Sequence, residues 1–391
     1  MTVEQTVNMK KLLILTSAIC AAACILPAGG RVVNAEETEI NCKSAYLCDF
    51  SSGTVVYAKN ETEELPIASM CKIMTLLLSF EAVDAGNLSY DEMITVSERA
   101  AGMGGSQVFL QENLQYRADE LMKTVAVCSA NDSCVALAER IAGSESAFVD
   151  AMNARAKALG ADHTLFANCT GLPKEPQYSC AKDVALMLRE MVSHKKYFEF
   201  SKVWLEDFAH PDGRTTTITN TNKLIRFYEG CDGGKTGFTN QAGFCLAATA
   251  KRGDTRLVSV VIGADSSKNR FESTKFMFND AFNRYETAKI FEAGASIDTQ
   301  AQVTGSAKTA ISVQAETDLN VFCPKGDAKN LMTEIRIHEN LRAPIEMGTV
   351  IGEAIVYREG VEVSRCNLIA GENADKYGWW DAFKKGAQLW N

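Results

Sequence analysis

Histidine is scarce in this chain. There are 4 among 391 residues (His163, His194, His210 and His338), and no two stand at a metal-ligand spacing. That argues against a histidine-built metal centre. Excess positive charge is missing too. Lys and Arg number 40 against 49 Asp and Glu, a net charge of −9, so the chain has no basic footprint for nucleic acid. Despite 13 cysteines, no C-x-x-C or C-x-x-C-H occurs. No internal repeat or low-complexity linker is visible, which excludes a repeat architecture.

What is present is ordinary globular composition. The chain is 46% hydrophobic and 23% charged, and its length allows a large core and two domains. The N-terminus stands apart. Met9-Lys10-Lys11 precedes "LLILTSAICAAACILPAGG" and then small residues up to Ala35. A basic start, an apolar run and a small-residue cut read as a signal peptide over 1–35. Pro27, Gly29 and Gly30 leave the run short for a membrane span. The exported chain would carry 48 acids against 37 bases, a charge of −11. It would keep 11 cysteines, an odd number. Cys71, Cys128, Cys134 and Cys169 lie in packed contexts beside the motifs below and read as small buried residues.

The rest of the chain divides by texture. Residues 36–290 mix helical and strand patterns. "AYLCDFSSGTVVYAKN" (45–60) predicts two strands around Ser51-Ser52-Gly53. Residues 119–142 have helical spacing broken at Ser129-Ala130-Asn131, and 147–160 predict a helix ending at Gly160. "GFCLAATA" and "RLVSVVIGA" flank "KRGDT" as a second hairpin. Over 291–372 the pattern alternates with period two between Gly, Asp and Pro, which predicts a small all-β domain. A tail follows over 373–391.

Within "ASMCKIMTLLL" (68–78), Ser69 and Lys72 stand three positions apart at the head of an apolar run. On a helix they share a face. A serine hydroxyl needs an adjacent base to become a nucleophile, and a lysine can serve if burial or a neighbouring cation depresses its pKa. The amides at the helix start can help hold an oxyanion. Alone, the pair could equally be a helix cap and a surface lysine. Two further stretches alter that balance: "CSAND" with Ser129 and Asn131, and "DGGKTGFT" with Lys235-Thr236-Gly237. S-x-x-K, S-D-N and K-T-G together mark serine β-lactamases and penicillin-binding proteins. Here they follow in that order, with Ala130 in place of the Asp.

The likeness extends across residues 40–372. "AYLCDFSSGTVVYAKNETEELPIASMCKIMT", "FANCTGLPKEPQYSCAKDVALM", "ITNTNKLI" and "LRAPIEMGTVIGEAIVY" resemble the serine-type D-alanyl-D-alanine carboxypeptidases of peptidase family S11, the low-molecular-weight penicillin-binding proteins. The resemblance implies an α+β transpeptidase fold over 36–290, with an antiparallel sheet, flanking helices and a helical subdomain, and an all-β domain after it. It implies no metal and no cofactor. The expected partners are the peptidoglycan stem peptide and, as inhibitors, β-lactam antibiotics. Carried onto matching positions, Ser69 is the nucleophile and Lys72 its base, with Lys235 the second cation that favours an uncharged Lys72. Ser129 relays a proton to the leaving amine, and Asn131 holds the substrate's peptide group. The amides of Ser69 and Phe238 form the oxyanion hole. Thr236, Gly237, Thr239 and Arg270 complete the substrate site, Arg270 as a partner for the terminal carboxylate or else a surface arginine. The group that activates the deacylating water is not indicated.

Four other readings compete. Glu175-Pro176 resembles the start of a β-lactamase deacylation loop, but Gln177-Tyr178-Ser179 replaces its continuation. An endopeptidase acting on cross-links would share the whole pattern. A non-enzymatic penicillin-binding sensor would be expected to have lost a motif, and none is lost. A Ser-His-Asp hydrolase would need a histidine near the motifs. In the tail, Trp380, Phe383, Ala387 and Trp390 form one apolar stripe with Lys384 and Lys385 beside it. That predicts an amphipathic helix lying in a membrane–water interface, which the family resemblance places at the outer face of the cytoplasmic membrane, the alternative being a helix docked on the β domain.

Overall fold

A computed structural model describes residues 40–378. The predicted signal peptide and most of the predicted amphipathic tail lie outside the described residues. The N-terminal half of the fold is organised by one antiparallel sheet. Strands β1 (Ser44–Asp49), β2 (Val55–Lys59), β3 (Cys231–Thr239), β4 (Gly243–Arg252) and β5 (Thr255–Ala264) are arranged β2-β1-β5-β4-β3. The hairpins predicted at 51–53 and 251–255 are both present, the second turning at Gly253-Asp254. Strand side chains alternate between faces, and here both faces are buried. Tyr46, Cys48, Val258, Val260 and Ile262 face one apolar cluster, while Ala45, Leu47, Leu257 and Val261 face another.

Helix α1 (Lys72–Asp84), α2 (Ala118–Val127), α3 (Asn131–Ala142), α4 (Glu145–Ala158) and α5 (Ala181–Met191) belong to the first cluster. The break expected at 129–131 is the junction of α2 and α3. Helix α6 (Ser267–Arg284) covers the opposite face through Met277, Phe278, Ala281 and Phe282. The result is a mixed helix–sheet domain with the strand bearing K-T-G at an open sheet edge.

The all-β domain follows without a linker. Strand β6 (Tyr285–Phe291) begins where α6 ends and so crosses the 290/291 division that texture suggests. It pairs with β9 (Leu319–Pro324). The remaining strands are β7 (Ser296–Gln302), β8 (Ala310–Ala315), β10 (Leu331–Ile337), β11 (Val350–Arg358) and β12 (Val361–Ala370), arranged β7-β8-β12-β11-β10. Their inward residues, among them Ile311, Val313, Ile351, Ala354 and Leu368, form a separate core. Ala374 pairs with Ile345 and Lys376 with Ser306, so the first residues assigned to the tail still belong to this domain.

Candidate active site

Ser69 sits on a 3-10 turn, Ala68–Cys71, that runs directly into α1. The sequence predicts an ordinary helical pair at this point. In the tighter turn, positions i and i+3 eclipse, which brings Lys72 closer to Ser69 than an α-helix would. Ala68 enters the turn at φ 48°, in the left-handed region. Two glycines permit this arrangement. A Cβ on Gly171 would lie 2.1 Å from the Ala68 carbonyl oxygen, and one on Gly237 would lie 2.6 Å from that of Ile67 and 3.3 Å from the Ser69 nitrogen. Backbone from two other segments thus closes on the nucleophile from both sides.

Lys72 is fully buried, and its Nζ is 3.0 Å from Ser69 Oγ and 2.5 Å from the Thr170 carbonyl oxygen. Lys235 is buried as well, on β3 opposite Ala247. Burial, and then the charge of Lys72, pulls Lys235 down to about 7 from the ordinary lysine range, with the Arg270 cation adding to the effect. Lys235 thus lies within electrostatic reach of Lys72.

Ser129 occupies the bend between α2 and α3 at φ 68°. Its Oγ is buried and has no hydrogen-bond partner among the described residues. Asn131 opens α3. Its Nδ2 donates to the Gly104 carbonyl at 2.7 Å, while Oδ1 is buried and unpartnered among the described residues. The neighbouring Asp132 was not singled out by sequence. It is wholly buried and accepts from the amides of Val108 (3.1 Å) and Leu110 (3.0 Å), holding the 104–110 segment over Asn131. Its one sequence signal is an acid placed in the first turn of α3, just ahead of the apolar run 134–138.

On β3, Thr236 and Gly237 pair with Leu246 and Cys245. Phe238 points outward, 52% exposed, with its ring 4.4 Å from that of Phe244. Thr239 Oγ1 accepts from the Ala242 amide at 3.0 Å, which leaves its proton for another acceptor. Arg270, near the start of α6, is enclosed rather than superficial. Its Nη1 donates to the carbonyls of Gly237 (3.2 Å) and Cys245 (3.3 Å), and Nη2 to Ser267 Oγ (3.3 Å). Its Nε is buried without a partner among the described residues, and burial lowers its pKa. Arg270 thus braces the strand that carries K-T-G. Tyr197 braces the same strand further back: its hydroxyl accepts from the Gly234 amide at 2.8 Å and donates to the Gly234 carbonyl at 3.2 Å.

These contacts link Arg270, Gly237, Ser69, Lys72 and Thr170 in one continuous array. Glu175 is exposed and accepts from Gln241 at 3.3 Å. His210 is committed to Tyr116 (3.0 Å) and Thr216 (2.9 Å). The 11 described cysteines are free thiols, and all but Cys128 are buried. An accessible serine with a buried lysine on its hydroxyl, open hydrogen-bonding groups on one flank and an exposed strand edge on the other is equipped for acyl transfer.

Comparison with known proteins gives the array a context. Residues 31–266 match the family model described as D-alanyl-D-alanine carboxypeptidase, and residues 285–376 match that described as the C-terminal domain of penicillin-binding protein 5. The chain is 36% identical over 349 residues to the D-alanyl-D-alanine carboxypeptidase DacF of Bacillus subtilis, covering 89% of this chain and 90% of that one. Among solved structures, penicillin-binding protein 5 from Haemophilus influenzae is similar with a TM-score of 0.71 and 30% identity, covering 86% of this chain and 98% of that one. Penicillin-binding protein D2 from Listeria monocytogenes, in an ampicillin-bound form, is similar with a TM-score of 0.55 and 30% identity, covering 62% of this chain and 97% of that one.

Proposed function

The chain belongs to the D-alanyl-D-alanine carboxypeptidases of peptidase family S11, and from that premise we propose how its own residues carry out the reaction. The protein is a serine-type carboxypeptidase that removes the terminal D-alanine from peptidoglycan stem peptides and binds penicillin. The observation carrying the site assignment is the 3.0 Å contact between Ser69 Oγ and the buried Lys72 Nζ.

An uncharged Lys72 has one lone pair and two N–H groups. The lone pair takes the Ser69 proton while an N–H is given to the Thr170 carbonyl. Ser69 Oγ then bonds to the carbonyl carbon of the penultimate D-alanine. The resulting oxyanion is received by the amides of Ser69 and Phe238, where one such donor is typically worth ~3 kcal/mol of barrier. As the C–N bond breaks, a proton passes through Ser129 to the departing amine, and D-alanine leaves. The peptide remains as an ester on Ser69. Water attacks that ester, Ser69 recovers its proton, and the shortened peptide is released as an acid. Asn131 fixes the substrate's peptide group. Thr236, Thr239 and Arg270 receive its terminal carboxylate, with Lys235 supplying positive charge. Burial of Thr236 and Lys235 supports the reading, since charge-assisted hydrogen bonds strengthen where water is excluded.

The reaction is tested by incubating the purified chain with a pentapeptide ending in D-Ala-D-Ala and assaying free D-alanine. Stoichiometric release is expected, with much slower cleavage of a cross-linked dimer. A reversed preference would assign endopeptidase activity instead, and penicillin binding without turnover would assign a sensor.

The location is proposed on sequence alone. Residues 1–35 direct export, and the tail holds the enzyme at the outer face of the cytoplasmic membrane. Residues 374–377 are bonded into the β domain, so the informative truncation starts at Trp379. The chain lacking 379–391 should keep its carboxypeptidase activity and no longer sediment with anionic liposomes at low salt. Affinity should be modest, because the −11 charge of the exported chain opposes anionic lipid. Equal sedimentation of both forms would refute a membrane role for the tail.

A further inference from the structure

Thr170 and its neighbours carry no recognised catalytic side chain, yet they are bound to the nucleophile helix in an ordered way. Three successive carbonyls are each received by a different side chain at the start of α1. Cys71 Sγ donates to the Asn168 oxygen at 3.2 Å, Thr75 Oγ1 to that of Cys169 at 2.7 Å, and Lys72 Nζ to that of Thr170 at 2.5 Å. Cys71 and Thr75 are completely buried. The segment is therefore pinned at three points against the end of the 3-10 turn and the first turn of α1, and the last of the three is the base.

The side chain of Asn168 closes the segment into a turn. Its Oδ1 accepts from the Thr170 amide (3.1 Å), the Thr170 hydroxyl (3.1 Å) and the Gly171 amide (2.7 Å), and its Nδ2 donates to the Leu172 carbonyl (2.8 Å). One of these bonds bears directly on the base. The Thr170 carbonyl and the Gly171 amide belong to the same peptide group, which is planar and stiff. Holding its N–H on Asn168 fixes the direction of its oxygen, and that oxygen holds Lys72 Nζ. The same peptide group abuts the Ala68 carbonyl, where Gly171 has no room for a side chain. An amine turns freely about its last bond, so its lone pair faces Ser69 only while another acceptor claims an N–H. A nucleophile and its base commonly require a third group that orients the base.

We propose that Asn168 is a positioning residue for Lys72, acting through the peptide between Thr170 and Gly171. This rests on the reading of Lys72 as the base of Ser69. Asn168 touches neither the substrate nor the reacting atoms, so its loss should appear in the rate of the chemical step and not in substrate affinity.

The test uses the full chain and benzylpenicillin, with acylation followed by intact mass and mapped to Ser69, alongside steady-state release of D-alanine. For Asn168→Ala, acylation and kcat should both fall about 10²-fold, as misplacement by an ångström typically costs, with KM within about twofold of wild type. Because Asn168 is buried, a second pair guards against an unfolded variant. Thr75→Val removes one of the three carbonyl donors and should slow acylation roughly fivefold, the effect of one neutral hydrogen bond. Thr75→Ser keeps the hydroxyl and should retain the rate. Wild-type acylation of Ser69 in Asn168→Ala, a rise in KM with kcat unchanged, or indistinguishable Thr75→Val and Thr75→Ser would each overturn the positioning role and leave Ser69 as the nucleophile. An adduct away from Ser69 in the unaltered protein would overturn the underlying assignment itself.

Discussion

Ser69→Ala should form no covalent adduct with benzylpenicillin and should release D-alanine at no more than a trace of the wild-type rate. The expected loss is on the order of 10⁶-fold, the scale seen when the nucleophile of a coupled catalytic unit is removed. That corresponds to about 8 kcal/mol of barrier. Stability should scarcely change, because Ser69 is only partly buried and its replacement deletes one hydroxyl. Cys71 provides the control for nucleophile identity. It lies two residues away, but burial raises its thiol far above the usual range, and its proton is already given to the Asn168 carbonyl. A thiol in that state is a poor nucleophile. An adduct on Cys71, or one that persists in Ser69→Ala, would remove Ser69 from the mechanism.

Lys72→Ala should also abolish penicillin acylation on the time scale of the wild-type reaction, a loss of at least about 10³-fold for a removed general base. Its thermal behaviour should separate it from a merely damaged protein. The substitution takes away a fully buried amine that lies near a second one, Lys235. Burying an amine costs desolvation that its removal gives back, which offsets part of the cavity left behind, so the melting temperature should move little compared with activity. Lys235→Arg makes a useful contrast. It retains a cation that stays charged and has a different donor geometry, so acylation should weaken while folding survives. Wild-type acylation in Lys72→Ala would take the base role from Lys72.

Some of this site could be read directly from residue order. Ser69 and Lys72 were visible because side-chain spacing on a turn is a local property, and Ser129-Ala130-Asn131 was visible because it interrupts apolar periodicity. Ser51-Ser52-Gly53 marked a hairpin for the same local reason. The parts that escaped are those in which the backbone itself carries the function. The Thr170 carbonyl orients Lys72, and a carbonyl has no letter in a sequence. Asn168 stands out in no local pattern, because its four bonds are made only once the segment has folded back on α1. Cys71 read as a small apolar filler, although its sulfur is a donor in the folded chain. The onset of the β domain was blurred because α6 passes into β6 with no turn residues between Arg284 and Tyr285. Arg270 could be matched to a motif, but its bonds to the Gly237 and Cys245 carbonyls depend on the packing of α6 on the sheet, which no local pattern specifies.

The two glycines that close on Ser69 also limit which mutational routes are open to the enzyme under antibiotic pressure. At Gly171 and Gly237 even a methyl group would collide with main-chain atoms of Ile67 or Ala68. Main chain cannot swing aside as a long side chain can, so such a change displaces the nucleophile for substrate and drug alike. A lineage evading β-lactams therefore gains nothing by narrowing the approach at either wall. Variation that distinguishes the antibiotic from the peptide has to arise where side chains already face solvent, as at Phe238. The pocket's inner walls would stay constant across such a lineage while its rim diversified.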